Sequence, residues 1–225
     1  MTETERLARL DTGALSDALD KLALSGAVSG IRPLSGPHRI AGRVVTVKLV
    51  AAEGRTSKRH LGTAAVEASG PGDVLVLSHR SRGDCAGWGG ILSRAAKARG
   101  IEGTVVDGAV RDVDESREIG YPLFARAAVP TTARGRIVEE GWNVDVEIGG
   151  VTVHPGDFVI ADGSGIVFIP KSRIEEVLAA AEEIAARERA MAAAVESGTP
   201  VSRVMGGDYE SLLKETGGGR DGESR

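Results

Sequence analysis

The chain has 225 residues and a formal net charge of −4, so it is long enough to bury a core and has no overall positive field to attract nucleic acid. Aromatic residues make up 3% of the chain, which argues against a surface that stacks bases. The single cysteine, Cys85, excludes an intramolecular disulfide and any zinc site built from several cysteines.

The sequence indicates neither a membrane segment nor a secretory signal. Residues 1–5 are acidic, and no apolar segment of the kind found in signal peptides follows them. No apolar run approaches the roughly 20 residues that a helix needs to cross a bilayer. We therefore predict a soluble, cytoplasmic protein with no membrane partner and, because of its charge, no nucleic-acid partner.

The first third of the chain is predicted to alternate helices and strands. Apolar residues at helical spacing indicate the helices, and β-branched runs bounded by glycine or proline indicate the strands. The predicted elements are helices over residues 3–10 and 11–24, a connecting loop over 26–36, a strand over 44–50 and a helix over 57–69.

Residues 74–112 are predicted to form the central unit of the fold. The apolar run 74–77 is a strand, and a glycine-rich loop at 87–90 opens a helix that ends at Gly100. A buried strand follows from Thr104, and a polar turn after it starts a second, short helix. Strand, helix and strand in this order predict a βαβ crossover.

The second half is predicted to be rich in strands and to end in a long helix. Alternating apolar residues and turns from 137 to 170 predict short strands, with a hairpin at Gly149-Gly150. Residues 171–196 carry an apolar stripe at helical spacing.

The carboxyl-terminal residues are predicted to lie outside the main domain. Tyr209, Leu212 and Leu213 suggest one more helical turn, and the glycine-rich, polar residues 217–225 are predicted to be disordered. We therefore predict one domain over residues 1–205 and a partly disordered extension over residues 206–225.

Two features of the central unit could carry chemistry. The N–H groups of Gly90, Ile91 and Leu92 would be unpaired at a helix start, where they favour an anion. Arg111 and Asp112 follow the carboxyl end of a strand, where open α/β sheets bind ligands. This set suits a small carboxylate held together with a divalent metal.

A purely structural interpretation of the acidic residue is equally open at this point. Asp112 with Glu115 three residues later is the pattern of a helix capping box, which needs no function. Arg111 could equally be a surface residue, and the glycines could serve only a tight turn.

The sequence gives less support to two other kinds of site, a dinucleotide-binding site and a cysteine nucleophile. Asp107 lies 20 residues after Gly87, as in a dinucleotide-binding fingerprint, but Leu92 stands where the third glycine belongs. Cys85 precedes the glycine loop with no evident histidine partner, and a lone cysteine is more often a small buried apolar residue than a nucleophile.

A basic cluster lies ahead of the central unit. It consists of Arg55, Lys58, Arg59 and His60, and such a cluster is most often a solvated helix start. The alternative is that it receives a second carboxylate of a substrate.

The segment Gly89–Leu92, taken together with Val106–Asp112, resembles the RraA-like family. That family includes the 4-hydroxy-4-methyl-2-oxoglutarate aldolases and the regulator of ribonuclease E activity. The resemblance runs from about Thr12 to Pro170. It implies an α/β fold: a ββα swivelling-type domain with a βαβ core, a β-rich second half and a long carboxyl-terminal helix. It also implies a homotrimer or homohexamer with sites between subunits.

The resemblance also implies the roles of the site residues. Arg111 would bind a small 2-keto acid substrate, and Asp112 would be the protein ligand of a divalent metal, Mg²⁺ or Mn²⁺; both would be catalytic. The substrate carboxylate would be held by backbone amides of the loop Gly89, Gly90, Ile91 and Leu92.

The sequence departs from the family at one position. Many bacterial aldolases of this family carry an aspartate 21 residues before the arginine, and here that position is Gly90. The resemblance further implies a carboxylate from the carboxyl-terminal region of a neighbouring subunit, for which Asp208 and Glu210 are candidates.

The sequence thus favours a divalent-metal-dependent pyruvate-type aldolase. Its substrates would be of the 4-hydroxy-4-methyl-2-oxoglutarate or 4-carboxy-4-hydroxy-2-oxoadipate class, with oxaloacetate decarboxylation through the same pyruvate enolate. Two alternatives stay open: a non-catalytic protein-binding regulator of a ribonuclease, and a nucleotide-cofactor enzyme such as a methyltransferase.

Overall fold

The computed structural model describes residues 1–56 and 59–206. The chain divides into two compact units, residues 1–181 and residues 182–225. The first unit contains the sheet and the site described below. In the second unit, the described residues contain the end of the long helix and one further short helix.

The helices in chain order are α1 (Glu3–Leu7), α2 (Thr12–Lys21), α3 (Thr63–Ala68), α4 (Gly90–Ala98), α5 (Val113–Glu118), a 3₁₀ turn (Lys171–Arg173), α6 (Ile174–Glu196) and α7 (Val201–Val204). The strands are β1 (Ala27–Val28), β2 (Arg32–Ser35), β3 (Ile40–Ala51), β4 (Asp73–Ala86), β5 (Gly103–Val110), β6 (Leu123–Ala128), β7 (Ile137–Trp142), β8 (Val146–Ile148), β9 (Val151–Val153), β10 (Phe158–Ala161) and β11 (Ile166–Ile169).

Nine strands of the described residues form one mixed sheet, in the order β1-β11-β10-β3-β4-β5-β6-β2, with β7 paired to β3. The run β3-β4-β5-β6 is parallel, and α3, α4 and α5 are its three crossovers. The remaining pairings in this sheet are antiparallel. The carboxyl ends of β4 and β5 therefore lie side by side.

Both faces of the parallel strands are covered. Alternate residues of β4 point to opposite faces: Leu75 and Leu77 belong to a cluster with α3 and α4, and Val74 and Val76 to one with the second half of the chain. All eight residues of β5 are buried. Continuous burial of this kind is typical of a parallel strand covered on both sides.

The mixed α/β class, the central βαβ unit and the hairpin are confirmed by the structure. β8 and β9 pair across Gly149 and Gly150, whose φ values of 54° and 87° suit a tight hairpin turn. The predicted helix over 171–196 begins as the 3₁₀ turn and continues as α6.

The prediction of a loop over residues 26–36 is wrong, because β1 and β2 lie there. Pro33 weighed against a strand, but β2 is at the edge of the sheet formed by the described residues, where it pairs with β6. An edge strand tolerates proline because one of its sides needs no N–H donor.

Two other boundaries differ from the prediction. The helix expected over 57–69 begins at Thr63, with residues 57 and 58 outside the described chain. The strand expected over 74–77 continues to Ala86, with two irregularities in its pairing to β5. Residues that loop out between paired positions do not alternate between the two faces of a sheet. The sequence of this part of β4 therefore lacks the pattern that predicts a strand.

Some predictions fall on residues that the structure does not describe. The helical turn at Tyr209, Leu212 and Leu213, the disorder of 217–225 and the candidates Asp208 and Glu210 all lie outside the described residues. The division into a domain over 1–205 and an extension stays a prediction. Within residues 1–56 and 59–206, no helix is both long and apolar enough to cross a membrane.

Candidate active site

Two loops meet at the carboxyl ends of β4 and β5. The first contains Gly87, Trp88 and Gly89, and the second contains Arg111 and Asp112. The amide of Gly87 donates to the carbonyl of Ala109 at 2.8 Å, and the amide of Arg111 donates to the carbonyl of Trp88 at 3.0 Å. These backbone hydrogen bonds fix the two loops to each other.

Asp112 is turned away from the helix that it precedes. Its backbone is left-handed, with φ 57° and ψ 38°, and its side chain caps no amide of α5. Its Oδ2 atom accepts a hydrogen bond from the amide of Gly90 at 3.0 Å and lies 3.3 Å from Nε of Arg111. Of the two interpretations left open for Asp112, the capping box is therefore excluded, because the carboxylate faces the start of α4 instead.

A side chain at position 90 would have to displace the carboxylate of Glu115. A Cβ atom built there would lie 1.8 Å from Oε2 of Glu115 and 3.2 Å from Cβ of Asp112. Contacts of 1.8 Å are far inside van der Waals separation. Glu115 thus fills the space in which the aspartate expected at position 90 would begin.

Glu115 is the residue that sequence reasoning missed. Its Oε1 atom accepts a hydrogen bond from Nε of Arg94, and its Oε2 atom is directed to Gly90. The sequence signal was present, since residues three apart lie on one side of a helix start. The only role that the spacing suggests for Glu115 is the capping box, because local spacing does not show which way the carboxylate of Asp112 turns.

One of the first three amides of α4 is bonded within the protein, and the other two are available to a ligand. The amide of Gly90 is already bonded to Asp112, which leaves those of Ile91 and Leu92 with no acceptor among the described residues. At the amino terminus of a nine-residue helix, such amides and the helix dipole favour an anion.

A small cavity joins these groups. Its volume is about 100 Å³, and its lining includes the loop Gly89–Leu92 together with Arg111 and Asp112. Both charged side chains are partly open to solvent, at 42% for Arg111 and 39% for Asp112. The structure thus brings Gly89–Leu92, Arg111 and Asp112 to one cavity.

Buried hydroxyl groups hold the start of α4 in place. Ser93 accepts a hydrogen bond from Nε1 of Trp88 at 2.9 Å and another from Oγ of Ser116 at 2.9 Å. Trp88, Ser93 and Ser116 are all buried. These hydrogen bonds connect the glycine loop, α4 and α5, so they limit movement of the cavity walls.

A family model described as RraA-like, Aldolase/RraA, matches residues 12–168. The chain belongs to the RraA-like family. The resemblance and the fold class expected from the sequence are confirmed by this match and by a structural relative. That relative is RraAS2 of Streptomyces coelicolor, described as an unusual member of the RNase ES inhibitor RraA protein family. Its structure matches with a TM-score of 0.77 at 28% identity, over 83% of this chain and 94% of the other.

Two proteins similar in sequence differ in how much of their length this chain covers. A protein of Halalkalibacterium halodurans named "Putative 4-hydroxy-4-methyl-2-oxoglutarate aldolase" is 37% identical over 192 residues, covering 81% of this chain and 85% of the relative. DlpA of Legionella pneumophila is 30% identical over 199 residues, covering 88% of this chain. The chain spans 32% of the length of DlpA.

The carboxylate oxygens at this cavity are of the kind that binds a hard divalent cation. The described residues contain no group of three or more histidine, cysteine and acidic side chains placed to hold a metal. Asp112 lines the cavity, and the carboxylate of Glu115, which is paired with Arg94, lies beside the Cβ position of Gly90. Mg²⁺ is commonly bound by one or two carboxylates and keeps several waters, and Mn²⁺ takes similar oxygen donors.

The basic cluster lies next to this cavity. Arg55, Arg59 and His60 line a second cavity whose wall also includes Arg111. Lys58 lies outside the described residues. The interpretation of the cluster as an ordinary helix start is wrong for the described part, because the nearest helix, α3, begins only at Thr63.

The remaining sequence candidates are structural. Cys85 is buried, and burial raises the pKa of its thiol, which disfavours the nucleophilic thiolate. Nε2 of His79 donates to the carbonyl of Cys85 at 2.8 Å rather than to its sulfur. Asp107 is buried and accepts hydrogen bonds from Arg126 and from the amide of Gly149, so it is not available to a ribose.

Proposed function

We propose that this protein is a divalent-metal-dependent lyase that cleaves the C3–C4 bond of 4-hydroxy-2-keto acids and releases pyruvate. The observation that carries the proposal is the orientation of Asp112, whose carboxylate leaves its own helix to face Gly90 and Arg111 in a cavity. A residue that served only to cap α5 would not adopt this left-handed backbone. The aldolase name of a relative 37% identical supports the same reaction class.

The binding of the keto acid would use groups of both loops. The amides of Ile91 and Leu92, which line the cavity, would donate to the C1 carboxylate. Arg111 offers a planar set of donors to the C2 oxygen and to the same carboxylate. Asp112 would hold Mg²⁺ or Mn²⁺ beside these oxygens, and Glu115, next to Gly90, would add a second acidic group near it.

The chemistry requires stabilisation of an enolate. The C4 hydroxyl gives up its proton to water and C4 becomes the carbonyl carbon of the second product as the C3–C4 bond breaks. The electron pair of that bond moves toward the C2 oxygen and generates the enolate of pyruvate, which takes up a proton at C3 to give pyruvate. A bound divalent cation would supply Lewis-acid stabilisation of that charge. Arg111 would add charge-assisted hydrogen bonds where the charge develops. Loss of CO₂ from oxaloacetate gives the same enolate, so we propose this decarboxylation as a second activity.

We also propose that the protein is a homo-oligomer, a trimer or a hexamer. Ile91, an apolar residue at the edge of the cavity, is 77% exposed in the single chain. A neighbouring copy could cover Ile91 and add a carboxylate to the two described ones. Light scattering coupled to size-exclusion chromatography measures the number of copies, and a monomeric mass would contradict this part of the proposal.

The direct test uses purified protein and oxaloacetate with Mg²⁺ or Mn²⁺, and measures pyruvate through a coupled reaction. EDTA should abolish pyruvate release above the spontaneous rate, and added metal should restore it. Asp112→Ala should remain inactive with metal present. Asp114→Ala, two residues further on and 89% exposed, should retain activity and serves as the matched control. Metal-independent pyruvate release by wild-type protein would contradict the proposal.

A regulatory role is the second candidate, favoured by the likeness to a structure described as a ribonuclease-inhibitor family member. In that case wild-type protein would slow RNA cleavage by a purified ribonuclease of that class, and Asp112→Ala would slow it equally. Pyruvate release would be absent with every metal. The two measurements therefore separate the candidates.

A further inference from the structure

His79 is a buried histidine that the proposed chemistry does not use. Its side chain is 1% exposed, and it does not line the cavity at Asp112. Its Nε2 atom donates to the carbonyl of Cys85 at 2.8 Å, because a carbonyl oxygen can only accept. Its Nδ1 atom has no hydrogen-bond partner among the described residues. A buried polar atom without a partner costs free energy, so the placement of this ring calls for an explanation.

The pairing of β4 with β5 contains an inserted segment, residues 79–85. Regular pairing stops at Ser78 and resumes at Ala86, although the β5 partners of these two residues are separated by Gly108 alone. The hydrogen bond described above joins the first residue of the inserted segment to the last. It therefore closes the insertion at the point where β4 returns to the sheet.

The inserted segment needs contacts of this kind to keep its shape. Arg80 and Ser81 have φ values of 52° and 54°, in the left-handed region that is unfavourable for residues with a side chain. Oγ of Ser81 donates to Oδ1 of Asp107 at 3.1 Å and ties the middle of the segment to β5. The hydrogen bond from His79 ties the end that leads into the glycine loop.

The ring of His79 also lies against the glycine loop. A Cβ atom at Gly108 would lie 2.5 Å from Cδ2 of His79, and one at Gly87 would lie 3.2 Å from the same atom. The ring therefore fills the space between the end of β5 and the start of the loop. Two residues further on, a Cβ atom at Gly89 would lie 2.9 Å from Oδ2 of Asp112. A shift of the loop would therefore reach this carboxylate.

The surroundings of His79 favour its neutral form. Burial lowers the pKa of His79 below the ordinary 6.5, and the guanidinium of Arg82 acts in the same direction. The hydrogen bond to the carbonyl of Cys85 and the carboxylates of Asp84 and Asp107 raise this pKa, with a smaller total effect. A neutral imidazole has one N–H group, which is all that the carbonyl of Cys85 requires.

We propose that His79 is a positioning residue, whose neutral ring closes the inserted segment of β4 and thereby holds Gly87–Gly89 against Arg111 and Asp112. The inference rests on the proposed function for the reaction that depends on this placement, and on the geometry alone for the placement itself. The unpaired Nδ1 follows from a ring orientation that serves the loop rather than the nitrogen.

The first test measures kcat/KM for pyruvate release from oxaloacetate by metal-loaded protein. His79→Phe keeps a ring and removes the donor, and we expect kcat/KM to fall about 10- to 100-fold because small displacements of reacting groups are sufficient for such losses. His79→Gln carries an amide donor for the same carbonyl and should recover most of the rate. His38→Phe, at an exposed histidine, is the matched control. Full activity of His79→Phe, or equal losses in His79→Phe and His79→Gln, would overturn the inference.

The second test does not depend on activity and uses Trp88, which is buried in the glycine loop with its Nε1 atom bonded to Ser93. Trp142→Phe leaves Trp88 as the only tryptophan. In this background, His79→Phe should increase acrylamide quenching of the Trp88 fluorescence at least about twofold by local opening, with unchanged circular dichroism. His79→Gln and His38→Phe should leave the quenching unchanged. Unchanged quenching in folded His79→Phe would overturn the inference.

The third test uses wild-type protein, so it decides the inference even where His79→Phe does not fold. The protein is labelled with ¹⁵N-histidine, and the ring nitrogen shifts are recorded near neutral pH. The signals of His79 are those that His79→Gln lacks. A protonated Nε2 with an unprotonated Nδ1 supports the inference, and the other tautomer or a charged ring would overturn it.

These tests also separate the inference from the proposed function. If wild-type protein releases no pyruvate with any metal, the proposed function fails, and the fluorescence and the tautomer of His79 alone decide the inference. If wild-type protein is active and His79→Phe equals it, the inference fails and the proposed function stands.

Discussion

Two aspartates at strand ends make a useful comparison, Asp112 after β5 and Asp162 after β10. Asp162 is 8% exposed and accepts hydrogen bonds from the amide and hydroxyl of Thr12 at 2.9 and 2.7 Å and from the amide of Ser164 at 2.9 Å. Asp112 is partly exposed and accepts one amide at 3.0 Å, with Arg111 beside it. Both lie next to a helix start, yet Asp112 accepts fewer hydrogen bonds and is more exposed, so it has more acceptor capacity open to a ligand.

The difference teaches how to tell a structural carboxylate from one available to chemistry. A buried carboxylate surrounded by donors stabilises the fold, and its removal leaves those donors unpaired. A carboxylate that is partly open and incompletely bonded contributes little to the fold. Asp162 and Asp112 should therefore respond to substitution in opposite ways.

The largest expected effect is on the activity of Asp112→Ala. We expect pyruvate release from oxaloacetate to fall by about 10²- to 10³-fold, the usual effect of removing a group that stabilises charge in a transition state. The urea midpoint should stay near that of wild type, since few contacts are lost. Unfolding followed by circular dichroism checks this, and a large loss of stability in Asp112→Ala would remove the contrast with Asp162.

The next effect concerns the space beside Gly90. Gly90→Asp should lower activity about 10- to 100-fold, because its Cβ displaces the carboxylate of Glu115. The double variant Gly90→Asp, Glu115→Gly moves the carboxylate to the position usual in the family and should recover most of the rate. Gly163→Ala, next to Asp162 and with open space around its Cβ position, is the control. Full activity of Gly90→Asp alone would show that Glu115 has no role.

Asp162→Ala should affect stability rather than chemistry. Three donors on Thr12 and Ser164 lose their acceptor, which we expect to lower the free energy of unfolding by about 2–3 kcal/mol. Specific activity of the folded protein should stay within about twofold of wild type. Urea unfolding and the pyruvate assay measure the two quantities, and an inactive but stable variant would reverse the assignment.

The smallest effect is on the pH dependence of stability. Burial opposes ionisation of Asp162, but hydrogen bonds from Thr12 and Ser164 outweigh it and lower the pKa of this carboxyl below its ordinary 3.8. The stability that it contributes is therefore complete above pH 3.8 and is lost as the pH falls through the lowered folded-state value. Below pH 5, the free energy of unfolding should fall less steeply with decreasing pH in Asp162→Ala than in wild type. An equally steep fall in the two proteins would contradict this.

Local patterns predicted most of the fold. The glycine loop before α4, the buried run of β5 and the hairpin at Gly149-Gly150 each lie within a short stretch, where spacing reports helix, strand or turn. Prediction failed at β1 and β2, whose short segments pair with distant strands. Such pairing depends on partners that a local window does not contain.

The sequence by itself determined the order of elements, the Arg111-Asp112 pair after β5 and the likeness to the RraA-like family. Only the tertiary structure decided that Asp112 turns to Gly90, that Glu115 fills the space there and that Arg55 and Arg111 line one cavity. The physical reason is that these contacts join segments 20 or more residues apart. They come together because parallel pairing places the carboxyl ends of neighbouring strands at one edge of the sheet.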